Sequence, residues 1–394
     1  MADNKDKKVL NVPALRFPEF SREWKRHKLS EICSFYSGGT PSSSKKEFYN
    51  GNIPFIRSGE LHKDKTELFI TEDGLNSSAA KLVEIGDLLL ALYGATSGDI
   101  AISKIKGAIN QAILCIRTKQ NKKFIESVWN KHVERLLQTY LQGGQGNLSA
   151  DIVKNIPFYF ADLEEQDKLA NFISLLDERI STQNKIIEDL KKLKSAISKQ
   201  LFAQKPNEWN RLDTLFSKGK AGGTPTSTNK EYYNGEVPFL SINDITKQGK
   251  YVRYTENHLS RSGLANSSAW VVPEYSLIMS MYASVGLVTI NEIPITTSQA
   301  MFAMQLKEKD LLDYLYYYLS YFKYRHIHKY LETGTQSNIN ADIVRGIMIP
   351  TYGHSRNMEI ASTLQRIDAK IDNELAVLEL FNRQKRYLLS QMFI

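Results

Sequence analysis

Residues Gln166 to Phe202 constrain this chain more than any other stretch, because their pattern occurs twice. Leu169, Ile173, Leu176, Ile180, Gln183, Ile187, Leu190, Lys194, Ile197 and Leu201 step by alternating four and three residues. That is the a/d spacing of a coiled-coil seam, held for over four heptads. Adding 191 to each number regenerates it as Ile360, Leu364, Ile367, Ile371, Glu374, Leu378, Phe381, Lys385, Leu388 and Met392. The polar interruptions recur in place, Gln183 with Glu374 and Lys194 with Lys385. Both copies close alike, in Lys199-Gln-Leu-Phe202 and Ser390-Gln-Met-Phe393. Unrelated amphipathic helices would not share their defects, so the chain holds two copies of one long helix.

A second repeat precedes each helix. GGTPSSSKKEFYNGNIPF at Gly38 to Phe55 matches GGTPTSTNKEYYNGEVPF at Gly222 to Phe239 in 12 of 18 positions, the mark of an internal duplication. Weaker echoes follow: Asn76-Ser-Ser-Ala79 with Asn266-Ser-Ser-Ala269, and the apolar runs Leu88–Tyr93 and Leu277–Tyr282, each of strand length. Gln111-Ala112 answers Gln299-Ala300, and Glu23-Trp24 answers Glu208-Trp209. Helices are predicted over Lys123–Leu141 and Leu311–Leu331. Each runs into a glycine-containing loop, GGQGNLSADIV at Gly143 or GTQSNINADIV at Gly334. The predicted order is a flexible tail (1–14), a first domain (15–161), a long helix (162–204), a second domain (205–352) and a second long helix (353–394). The fold class is α+β: two homologous mixed α/β domains joined by two long helices. Matching seams predict an antiparallel coiled coil with pseudo-two-fold symmetry. Each rod of ~37 residues would span roughly 55 Å, with a domain at either end.

Composition leaves few function classes open. At 394 residues, two or three domains are expected. No apolar run reaches membrane-spanning length, and residues Met1 to Lys8 lack a signal-peptide core. Cys33 and Cys115 lie far apart with no CxxC, which fits a reduced, cytoplasmic protein. The net charge of +8 is compatible with nucleic acid without pointing to it alone.

Catalytic patterns are missing. Gly219-Lys220 is followed by Ala221, and Thr214 stands where a phosphate loop needs its first glycine. No GxGxxG opens a helix, no Asn-Pro-Pro-aromatic tetrapeptide marks an amino-methyltransferase, and no nuclease acid-x-Lys pair appears. His326 and His328 face different ways on a helix, so no metal site is expected. The residues point to binding, not catalysis.

Candidate DNA contacts fall in the repeated loops. Thr40, Ser42, Ser43, Ser44, Lys45 and Lys46 follow the first Gly-Gly turn; Thr224, Thr226, Ser227, Thr228 and Lys230 follow the second. Hydroxyls, lysines and glycine-exposed amides suit phosphates, although a solvated hairpin would look the same. The amides of Asn76, Gln111, Asn243, Gln299 and Asn338 suit adenine edges, or local loop hydrogen bonds. Thr96, Ser97, Gln145, Asn147, Ser284 and Gln336 complete the candidate set. Tyr321-Phe-Lys-Tyr-Arg-His-Ile-His-Lys-Tyr330 reads either as a basic, aromatic DNA-facing helix or as a Tyr-rich core face with a solvated basic side.

Taken together, these repeats resemble the DNA-specificity subunit of Type I restriction–modification systems. The resemblance covers nearly the whole chain from Leu15. It rests on the two-domain, two-helix duplication and the Gly-Gly-Thr-Pro…Tyr-Asn-Gly-x-(Ile/Val)-Pro-Phe stretches. The loops at Gly143 and Gly334 and the Leu-Phe and Met-Phe helix ends add to it. The first loop departs slightly, with Gln145 two residues after Gly143. The resemblance implies two target-recognition domains reading a bipartite, asymmetric target in double-stranded DNA. It implies a helix pair that acts as ruler and docks two methyltransferase subunits, with two restriction (translocase/endonuclease) subunits able to join. S-adenosylmethionine would sit in the methyltransferase partners, and this chain would bind no cofactor. A stand-alone two-headed DNA-binding regulator, a decoy specificity subunit, and a coiled-coil scaffold without DNA are the alternatives.

Overall fold

The structure, a computed structural model, describes residues 10–141, 147–330 and 338–394. It divides into two compact units, Met1–Lys185 with Ala376–Ile394, and Ile186–Leu375. The class is the expected α+β, with a long helix, Leu163–Phe202, between two related globular parts and a second, His354–Met392, after them.

The first globular part is built from ten strands: β1 (Lys25–Lys28), β2 (Cys33–Ser37), β3 (Tyr49–Ile56), β4 (Phe69–Ile70), β5 (Lys81–Val83), β6 (Leu88–Ala91), β7 (Ile100–Ile102), β8 (Gly107–Ile109), β9 (Ile113–Thr118) and β10 (Pro157–Phe160). The sequence explains which strands are central. Every residue of β6 and the first four of β9 are apolar and buried. Strands covered on both faces read as such runs, and they form the middle of the antiparallel sheet β2-β9-β6-β7. A second sheet, β4-β3-β8-β5, carries the repeated motif on β3, which pairs parallel with β8. Strands β1 and β10 form a separate ribbon.

The helix Lys122–Leu141 lays Phe124, Ile125, Val128 and Trp129 into the core, and Trp129 Nε1 donates to the Gly98 carbonyl at 2.8 Å. The same core takes in Leu169, Ile173 and Leu176 of the first long helix and Leu388, Leu389, Met392 and Phe393 of the second. Early residues of one helix thus meet late residues of the other, the antiparallel sense expected from the matching seams. Contacts begin inside the stretch expected as a tail: the Asn11 carbonyl accepts from the Trp24 amide at 2.8 Å, and Pro13 is buried. Residues 1–9 of that tail lie outside the described residues.

The second unit repeats this plan with β11 (Glu208–Arg211), β12 (Phe216–Ala221), β13 (Tyr233–Leu240), β14 (Tyr251–Val252), β15 (Asn257–Leu259), β16 (Leu277–Ser280), β17 (Val288–Asn291), β18 (Thr296–Thr297), β19 (Met301–Leu306) and β20 (Met348–Thr351). Its main sheet, β12-β19-β16-β17-β14, keeps the order of the first and adds an edge strand, parallel to β17. That strand follows a short helix, Ile242–Gln248, closed by a Ser241/Asp244 capping box. Among the described residues the first unit has no counterpart to that edge strand, and a shorter 3₁₀ turn, Ser58–Glu60, with an Arg57/Glu60 capping box stands where the helix does.

The expected helix Leu311–Leu331 is shorter. It spans Leu312–Arg325, and His326 (φ −130°, ψ −22°) leaves helical geometry before a 3₁₀ turn, Ile327–Lys329. The tightening follows from burial of Ile327, with the Tyr330 amide donating to its carbonyl. Leu364 and Ile360 of the second long helix and Phe202 of the first close this unit's core. All twenty seam positions are buried or half-buried, including Lys194 and Lys385.

Candidate nucleic-acid interface

The repeated Gly-Gly-Thr-Pro turn is locked from beneath in both units. A Cβ on Gly38 would lie 1.7 Å from the Ile109 carbonyl oxygen, and one on Gly222 would lie 1.9 Å from that of Thr297. Glycine is required there by close approach of two backbones. Each turn is tied again by a tyrosine of the same motif: Tyr49 donates to the Pro41 carbonyl and Tyr233 to that of Pro225, both at 2.7 Å. Asn50 and Asn234 take φ of 59° and 58°, a left-handed conformation that asparagine tolerates better than most residues.

On this base sits an exposed pair repeated in both units. The Thr40 hydroxyl donates to Gln111 Oε1 at 2.6 Å, and that of Thr224 to Gln299 Oε1 at 2.5 Å. The contact orients each glutamine amide and leaves its NH₂ group and one carbonyl lone pair for a ligand. Ser42, Ser43, Ser44, Lys45 and Lys46 are exposed beyond it, as are Thr226, Ser227, Thr228 and Lys230. Ser42 and Ser44 share a hydrogen bond at 2.8 Å, and the Lys45 ammonium lies 4.9 Å from the Phe48 ring centroid. The structure thus brings the threonine and glutamine candidates together in each unit, beside the hydroxyl-rich turn.

The remaining candidates scatter. Asn243 is exposed but its amide donates to Glu256 at 2.9 Å, and that carboxylate also pairs with Lys247. Ser97 donates to the Leu92 carbonyl at 3.0 Å and Thr96 accepts from the Asp99 amide; both are half-buried. Ser284 has φ of 37°, and its carbonyl accepts from Ser280. Asn76 and Asn147 are exposed and Asn338 is half-buried. Gln145 and Gln336 lie outside the described residues.

The Tyr321–Tyr330 stretch has a core side and an exposed side. Phe322 is buried and Tyr321 sits 5.2 Å from the Phe202 ring, whereas Tyr324 is 79 % exposed beside exposed Arg325. Among the described residues, the acidic and histidine groups that approach closely enough to share an ion are Glu308, Asp310 and His354, all exposed. Nothing further marks that trio as a site.

Between β3 and β4 the units diverge, and sequence reading missed this. In the first, Glu60 is buried and accepts from Arg57 at 3.0 Å and Thr66 at 2.9 Å. Burial opposes its charge, but Arg57 and Thr66 outweigh burial and lower its pKa to about 2. In the second, Asp244 of the longer helix Ile242–Gln248 takes the place of Glu60: it is buried and accepts from the Ser241 amide and hydroxyl and from the Glu256 amide. A length comparison of Ile56–Ile70 with Leu240–Leu259 carries the signal. Sequence reading also missed Asp177 and Asp368, which the 191-residue repeat relates as it relates the seams.

A duplicated α+β chain, each unit with its own sheet pair and part of two long helices, is the class these features define. The family model for the Type I restriction modification DNA specificity domain matches residues 21–192 and again 206–379, so the chain belongs to that family and carries the domain twice. The MjaVIII specificity subunit of a Type I restriction enzyme from Methanocaldococcus jannaschii is 25% identical over 263 residues, 64% of this chain and 56% of that protein. The chain spans about half the length of several curated relatives it matches. A solved Type I restriction-modification S subunit from M. genitalium shares the fold at TM-score 0.58 and 15% identity, covering 97% of this chain and 99% of that one. A chain from a structure of type I R-M complex assembly and conformational transition does so at TM-score 0.61 and 17% identity, covering 94% and 97%. Among the described residues no helix is long and apolar enough to cross a membrane.

Proposed function

We propose that this chain supplies target specificity, and no catalysis, to a Type I restriction–modification complex. Each globular part reads one half of a bipartite, asymmetric site in duplex DNA. Methyltransferase subunits dock on the chain and hold S-adenosylmethionine, and restriction subunits join them. The observation that carries this reading is the exposed threonine–glutamine pair, kept on an identical locked turn in both units. A group common to both heads cannot tell two different half-sites apart. It suits a contact that any half-site offers, to backbone or to a frequent base edge. Discrimination then belongs to the divergent segments, Ile56–Ile70 in one head and Leu240–Leu259 in the other.

The test is methylation mapping in cells that carry this chain with its methyltransferase partner. Replacing residues 36–160 by those of a relative should change one half of the methylated motif and leave the other half intact. Simultaneous change of both halves would overturn the modular reading. Tight, salt-sensitive DNA binding by the chain alone, with no methyltransferase co-purifying, would favour a stand-alone regulator.

A further inference from the structure

Two ion pairs on the long helices are copies of each other. In the first unit Lys385 of the second helix meets Asp177 of the first at 2.5 Å. In the second unit Lys194 of the first helix meets Asp368 of the second at 2.5 Å. Adding 191 to Lys194 gives Lys385, and adding it to Asp177 gives Asp368. Both lysines occupy seam positions, where an apolar side chain would pack better, and a polar residue in a seam typically fixes register at a cost in stability.

Neither pair stops at the helices. Asp177 also accepts from Lys123 at 2.6 Å, on the helix Lys122–Leu141 of the first globular part. Asp368 also accepts from the Tyr317 hydroxyl at 2.8 Å, on the helix Leu312–Arg325 of the second. Lys194 lies 5.3 Å from the centroid of the same tyrosine ring. Each carboxylate is therefore a three-way junction of both long helices and the globular part of its unit. All of these charged groups are only a fifth to under a third exposed, unlike the solvated surface pairs that contribute little. Burial favours the neutral acid at Asp177, yet Lys123 and Lys385 outweigh it and hold that carboxyl below its ordinary value.

We propose that Asp177 and Asp368 are positioning residues: each fixes how its globular part is oriented on the helix pair, and together they hold the complex to one spacing between half-sites. This rests on the bipartite reading above. In both units the third arm brings a further lysine to the junction, so it needs a carboxylate at its centre, and that makes it testable. In the second unit the Tyr317 hydroxyl also accepts from Lys250 at 3.2 Å, so a lysine at 368 would face that ammonium. In the first unit a lysine at 177 would likewise face Lys123.

The experiment uses the full chain with its methyltransferase partner and duplexes whose spacer is native, or one base pair shorter or longer. D177N and D368N should each reduce discrimination between native and altered spacers roughly tenfold, with half-site preference unchanged. K194D and K385D should do the same, and neither exchanged pair, K194D/D368K or K385D/D177K, should restore discrimination, because the new lysine meets Lys250 or Lys123. A general loss of stability would weaken all spacers alike. Amide exchange along Leu312–Arg325 gives a second readout, independent of DNA: faster in D368N and K194D, and still faster than wild type in K194D/D368K. Wild-type spacer discrimination in D177N and D368N, or unchanged exchange in D368N, would overturn the proposal. A wild-type complex with no paired half-sites would instead overturn the functional reading, and exchange would still decide the junction.

Discussion

Gly222 stands where a methyl group has no room: a Cβ there would fall 1.9 Å from the Thr297 carbonyl oxygen and 2.3 Å from its hydroxyl. Backbone has to move to relieve such contacts, and overpacking of this kind costs about 1–3 kcal/mol. Gly222→Ala should lower the unfolding midpoint of residues 186–375, followed by amide exchange, and leave β1 to β10 protected. Trp24 and Trp209 make a contrasting pair. Their Glu-Trp dipeptides look equivalent in sequence, but Trp24 is 2 % exposed and Trp209 52 %. Trp24 packs against Phe124 and Phe393, and its indole N–H donates to Glu165 at 3.2 Å. Trp24→Ala should cost about 3–5 kcal/mol in denaturant unfolding, and Trp209→Ala under about 0.5 kcal/mol. The turn glycines were legible as a repeated motif. The burial of Trp24 was not, because it depends on partners a hundred or more residues away.

At the scale of elements, the long helices were legible almost to their ends, since a seam is a local periodicity that packing then uses. The helix Leu312–Arg325 was not, because its stop depends on Ile327 turning into a core that no local signal announces. The segment between β3 and β4 was silent too, since Glu60 is a buried acid only because Arg57 and Thr66 fold over it. Its folded-state pKa of about 2 lies below the ordinary 4.5. The stability it brings is therefore complete above pH 4.5 and is lost as pH falls toward 2. Glu60→Gln should flatten that acid limb in a pH series of unfolding midpoints, while lowering stability near neutrality.

At the scale of the molecule, the duplication was plain in the residues, and with it the family. The bases read were not, because readout depends on loop geometry and DNA shape that residue types do not specify. The Thr40–Gln111 and Thr224–Gln299 contacts show the limit well: all four residues were candidates, but their pairing needed coordinates. If the helices set the spacer, inserting one heptad in each at matching positions adds ~10 Å, close to three base pairs of rise. Methylation mapping should then find a longer spacer between unchanged half-sites; changed half-sites at constant spacing would count against it.

Leu388, Leu389, Met392 and Phe393 share one core with Trp24 and Phe124. A ribosome makes those four residues after every other part of that core, and after all of Ile186–Leu375. The unit begun first is thus the later one to close. While the nascent chain waits, Trp24 lacks its Phe393 wall, and the half-built globule offers an apolar face to chaperones or to neighbouring chains.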